Sequence, residues 1–330
     1  MTLTHNTHTV SLRNRLMEAT FLPDFGGKMI SLTSIRTGEE FLLPPLHPYK
    51  RLKATELFER GDAGGFDECL PSVAACEAMG QESPVADHGD LWRLAWEAEA
   101  TREMVRMQVD AVSRPLRLIR TATFRGRALV LRYELYNLSG RTVPWLWSAH
   151  PLFKISPGDR ILLPDAVRAV TVEGSCAGDF TKGSVITWPH AQTNAGNIVD
   201  LSTIRAVDGR TAHKLFVSMG PSAWAALYRT ELGQGVLVRL DPRILPFLGL
   251  WICHGAWPAH GLQRQYTVAL EPTTSDTDSL MEAAHRGTAR MLDPLGHTSW
   301  EIEMELLGAE SAISYEETLS TLRRASRPAP

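Results

Sequence analysis

Several things are scarce or missing in this chain of 330 residues, and each absence excludes something. No apolar run reaches the roughly 18 residues that a membrane-crossing helix requires, so no membrane partner is expected. The opening stretch MTLTHNTHTVSLRNRL is polar and has no apolar segment of the kind that marks a secretory leader. Four cysteines (Cys69, Cys76, Cys176, Cys253) are scattered without a CxxC, which points to reduced thiols in a cytoplasmic protein rather than a disulfide framework. Without secretion, the NLS sequon at Asn137 carries little weight. Basic blocks are absent and the net charge is −3, so nucleic acid and anionic membrane are not expected partners. A metal site built from His88, His150, His254 and His260 finds no support in their spacing, and no metal is expected.

What is present is an ordinary globular composition, 44% apolar and 22% charged, enough to build a large core without disulfides or metals. No repeat of fixed period, linker or low-complexity block divides the chain. The expected organisation is a single β-sandwich domain over 1–312, followed by a helical or disordered tail over 313–330 that ends in the polar SRPAP.

Period-2 alternation dominates. VRMQVDAV (105–112), LRLIRTATF (116–124) and ALVLRYELYNLSG (128–140) follow one another with turn residues between. In the third, Leu129, Leu131, Tyr133 and Leu135 share one face. Further strand-like runs include KLFVSMG, GVLVRLDP, FLGLWICHG, YTVALEP and SWEIEMELLG, with no regular alternation of strand and helix. The pattern predicts an all-β fold, a large antiparallel sandwich with few short helices. Helices are expected over 278–292, with Asp278 or Ser279 as N-cap, and over 314–325.

The run WLWSAHPLF raises a sharper question, because His150 sits before a proline among Trp145, Trp147 and Phe153. It is either a core histidine with satisfied ring nitrogens or a proton donor to a bound ligand. PDFGGKMISL reads as a hairpin turn before a strand. In GGFDECLPSV, Asp67 and Glu68 are either a solvated turn or a ligand contact. ADHGDLWRLAWE offers His88 and Trp92. In YTVALEP, Thr267, Ala269 and Glu271 share a face, and in LGLWICHG so do Gly249, Trp251 and Cys253. A tryptophan flanked by small residues suits either a sugar-ring platform or core packing. His150 and Glu271 each precede a proline, which predicts that pairing stops there and leaves both at strand ends.

Taken in order, GGKMISL, DHG followed by LWRL, NLSGRTVPWLWSAHPLF and YTVALEPTTSDTDSL resemble the galactose mutarotase-like, or aldose 1-epimerase, superfamily over about residues 10–307. The resemblance implies a β-supersandwich with a sugar-binding cleft on one sheet. It matches the family's catalytic histidine with His150, its catalytic glutamate with Glu271 and its substrate-contacting histidine with His88. Asp241 in VRLDP is the candidate for its substrate-binding aspartate. The implied reaction opens a hemiacetal ring. A base takes the anomeric hydroxyl proton, an acid protonates the ring oxygen, the C1–C2 bond rotates and the roles reverse. A carboxylate and an imidazolium can do this near neutral pH without a cofactor. Where the family carries an arginine-containing segment, this chain has GGFDECLPSV, with carboxylates instead. The alternative is a catalytically silent carbohydrate-binding or sensing protein on the same scaffold, with Trp251, Trp92 and Asp67 as binding groups.

Overall fold

The computed structural model describes residues 8–53, 55–80, 82–260 and 263–325. Two antiparallel sheets face each other. The first has ten strands, in the order Val10–Arg13, Met17–Leu22, Lys28–Ser34, Phe66–Cys69, Ser148–Lys154, Tyr266–Thr273, Phe247–His254, Ala212–Ser218, Ala169–Ser175 and Val185–Thr187. The second has eight, with the long strands Leu116–Arg125, Ala128–Asn137 and His297–Leu307 near its middle. The architecture is the expected all-β antiparallel sandwich.

Alternation explains the packing. Leu129, Leu131, Tyr133 and Leu135 of the second sheet meet Leu215, Val217, Leu248, Leu250, Val268 and Leu270 of the first in one buried core. The opposite face of the ten-stranded sheet carries Lys214, Gly249, Trp251 and Glu271, and it is this outward face that builds the cavity.

Between the sheets, Glu68 accepts hydrogen bonds from Arg120 Nη1 (2.7 Å), Tyr133 Oη (2.9 Å) and Trp147 Nε1 (3.0 Å). A buried carboxylate is tolerable when its charge is paired and its lone pairs are filled in this way. Glu68 is thus part of the core, and its neighbour Asp67 points to the other face of the sheet. The solvated turn considered for this pair is corrected, since both are fully buried in the Phe66–Cys69 strand.

Two other local expectations change. The strand through His150 continues past Pro151, which pairs with Phe66, and the strand through Glu271 continues past Pro272, which pairs with Leu248. What the prolines do is open the ladder between these two strands. Their Cα pairs jump from Ser148↔Thr273 to Leu152↔Ala269, because neither proline has an N–H to donate. The helix expected over 278–292 runs only Leu280–His285, capped by Ser279. Gly287, at φ 72°, turns the chain, and Arg290–Leu292 then forms a strand against Val143–Trp145. Asn137 is buried, its amide donating to the carbonyls of Arg141, Leu292 and Asp293.

The segment 313–330 contains the helix Tyr315–Ala325, whose Leu319 and Leu322 pack on Leu162, Trp224 and Leu237 of the eight-stranded sheet. SRPAP, residues 326–330, lies outside the described residues. PDFGGKMISL is the turn between Met17–Leu22 and Lys28–Ser34, with Gly26 and Gly27 at φ 74° and 57°.

Candidate active site

A cavity of about 240 Å³ opens on the outward face of the ten-stranded sheet. His150, Glu271, Lys214 and Trp251 form its floor, on four adjacent strands. Phe58, Trp257 and the Asp87–His88 pair form the walls, with Gln265 and Asp278 at the rim.

The register puts the first two residues together. Ser148↔Thr273 and Leu152↔Ala269 share one alignment, so His150 lies directly across from Glu271 where the ladder is open. On its other side His150 pairs with Asp67. His88 completes the group, its ring 5.2 Å from that of His150 and nearly edge-on.

His88 is held firmly. Its Nδ1 lies 2.9 Å from Asp87 Oδ1, and Asp87 Oδ2 accepts the backbone N–H of Phe58 at 2.8 Å. The Phe58 ring stacks on the imidazole with centroids 4.0 Å apart. His88 has φ 58°, a left-handed conformation uncommon for a side-chain-bearing residue and found often at functional loops. Burial opposes the Asp87 charge, but the contacts from His88 and Phe58 outweigh it and hold the carboxyl below its ordinary range.

Glu271 is buried, and its Oε2 accepts a hydrogen bond from Lys214 Nζ. Lys214 also lies 3.3 Å from Asp278. Burial raises the Glu271 pKa and the Lys214 ammonium works against that rise. Burial likewise disfavours the Lys214 charge, but Asp278 and Glu271 overcome it and keep the amine an ammonium. Among the described residues Glu271 Oε1 and His150 Nδ1 have no protein hydrogen-bond partner. Gly249 makes the ion pair possible: a Cβ there would sit 2.9 Å from Glu271 Oε2 and 3.3 Å from Lys214 Nζ.

The imidazolium that the implied reaction uses is not the resting form of His150. Burial, then the charges of His88, Lys214 and Lys28, push its pKa well down, so at neutral pH the ring is neutral.

Trp251 stands on the cavity side of its sheet, its indole N–H donating to Gln265 Oε1 at 3.0 Å. Trp92 and Asp67 lie behind the cavity wall. Trp92 packs edge-on against Phe58 at 5.0 Å and donates to the Asp87 carbonyl. Asp67 pairs with the buried Lys28 at 2.8 Å, which also binds Asp62. Asp241 is not brought to the site. It shapes the turn after the Gln234–Leu240 strand of the other sheet, where its carboxylate accepts from the Arg243 backbone and guanidinium. The four histidines of the metal reading also separate. His88 and His150 meet, His254 packs against Tyr266, and His260 lines a different groove.

Sequence reasoning missed Lys214, Asp278, Phe58, Trp257 and Gln265. Only Lys214 carried a signal, as a charge that opens the apolar strand run KLFVSMG.

The fold is that of the galactose mutarotase-like β-supersandwich. It is similar to a galactose mutarotase-like protein from Lactobacillus casei (14% identity, 91% of this chain and 100% of that one, TM-score 0.67). It is also similar to a galactose mutarotase related enzyme from Lactobacillus acidophilus (15%, 93% and 98%, 0.64) and to a galactose mutarotase-like protein from Clostridium acetobutylicum (14%, 91% and 95%, 0.60). No protein-family model matches the chain, and no curated protein matches it in sequence.

Proposed function

We propose that the chain is a sugar mutarotase or related epimerase that interconverts the anomers of an aldose by opening and closing its ring. The observation that carries this reading is the opposition of His150 and Glu271 on the cavity floor, with His88 beside them.

Glu271 Oε1 takes the proton of the anomeric hydroxyl. The C1–O1 bond becomes a carbonyl as the C1–O5 bond breaks, and O5 receives a proton from His150. Rotation about C1–C2 and the reverse proton transfers give the other anomer. Because His150 rests neutral, the proton it delivers arrives with or after the sugar, through His88, which Asp87 braces and which keeps some exposure to solvent. Lys214 keeps Glu271 an anion despite burial, which a general base requires. Trp251 and Trp257, each partly exposed in the cavity, offer apolar faces to a sugar ring.

The second reading, a silent carbohydrate-binding protein, is favoured by the tight engagement of Glu271 with Lys214. Polarimetry on a panel of freshly dissolved aldoses separates the two. Catalysis predicts that at least one reaches anomeric equilibrium faster with the protein, in proportion to its concentration. Binding of a sugar with no acceleration on any member would leave only the second reading.

A further inference from the structure

The cavity holds more negative than positive charge. Glu271 and Asp278 share the single cation Lys214. Behind Asp278, Glu173 and Glu282 share Lys182 at 3.0 and 3.7 Å, and Asp276 and Glu282 share Arg286. The floor and the wall behind it therefore set five carboxylates against three cations. On the facing wall stands Asp87 with His88, and behind that wall Lys28 is shared by Asp62 and Asp67. The Lys214 ammonium, already engaged by two carboxylates, has little attraction left for an anionic ligand. Asp278 differs from Glu271 in keeping a fifth of its side chain exposed at the cavity rim. Its backbone carbonyl accepts from the N–H groups of Val73 and Ala74, which fixes its position independently of its carboxylate.

We propose that the sugar this site takes carries no phosphate or carboxylate, and that an amino sugar, with its ammonium against Asp278, binds more tightly than its hydroxyl parent. The inference rests on the reading of the cavity as a sugar site and specifies its substrate class. Burial and the nearby Asp278 charge both raise the pKa of Glu173 and of Glu271, in keeping with crowded negative charge.

The test is calorimetric titration of the full chain at pH 6 with glucose, glucosamine, galactose, galactosamine, glucuronate and glucose 6-phosphate, alongside anomer exchange of the same sugars. Each amino sugar should bind about 2- to 5-fold more tightly than its parent, the range of a partly exposed ion pair. The two anions should bind at least about 10-fold more weakly, since each sets a like charge against the wall. Both differences should shrink when salt is raised from about 0.02 to about 0.5 M. Asp278→Asn should remove the amino preference, and if that variant does not fold, the salt series on the native chain reads the same charge. An anionic sugar that binds as well as its neutral parent overturns the proposal. So does equal affinity for amino and parent sugars, or the absence of binding by every sugar. The expected order of affinity without accelerated anomer exchange supports this inference and sinks the catalytic reading instead.

Discussion

His150 and Glu271 face each other across two adjacent central strands, at the one place where those strands do not pair. Pro151 and Pro272 follow them, and the missing N–H groups of the two prolines open the ladder there. If the two side chains act on one sugar ring, His150→Asn and Glu271→Gln should each fold and each lower the rate at least ~10²-fold. The double variant should be little worse than either single one, because groups acting as a unit are not additive. Wild-type anomer exchange by a folded His150→Asn protein would sink the pairing.

Lys214 should set the acid limb of the pH profile. With Lys214→Met, Glu271 stays buried but loses its cation, so its pKa rises further and the carboxylate is protonated at pH values where the native protein keeps it ionised. A base works only when ionised, so the rising limb of kcat/KM against pH should move to higher pH, with activity recovering as pH rises. Removing one partner of a buried pair should also destabilise the fold, by about 3 kcal/mol in urea denaturation. An unmoved acid limb would show that Lys214 does not tune the base.

Gly249→Ala isolates the close packing of the ion pair. The new methyl carbon would sit 2.9 Å from Glu271 Oε2 and 3.2 Å from its Cβ, so the carboxylate must shift. Activity should fall at least ~10-fold, since small misplacements of a reacting group are enough to do this. The protein should remain folded by circular dichroism. Native rates in Gly249→Ala would mean that the position of Glu271 is not critical.

Trp251→Ala should weaken sugar binding by about 1 to 3 kcal/mol, more than it lowers unfolding free energy, because the ring stands on the cavity side and only half-buried. Ligand titration and thermal melting of the same preparation compare the two. Equal losses would assign Trp251 to packing alone.

Strand periodicity carried most of the fold. The faces of ALVLRYELYN and YTVALE are legible in the order of their residues, because side chains in a strand alternate with a period of two and one face must leave water. The cavity-facing row Gly249, Trp251 was legible for the same reason, as was Glu271. Local periodicity could not say which strands are neighbours. The meeting of the 148–154 and 266–273 strands joins positions more than a hundred residues apart, and only the closed sheet sets their register. The same limit hid Lys214 and Asp278, whose roles arise from charges brought beside Glu271 by two separate segments. It also misassigned Asp241, since a local turn captures that carboxylate before any ligand could.

The chain by itself thus determined that it folds into antiparallel sheets and which side chains of a strand share a face, because both follow from local alternation and the burial of apolar surface. Tertiary structure alone decided that His150 would rest neutral, that Glu271 would be held by Lys214, and that Asp67 would serve a buried ion pair. Those properties are set by desolvation and by charges a few ångströms away in space, and neither is encoded in the spacing of residues along the chain.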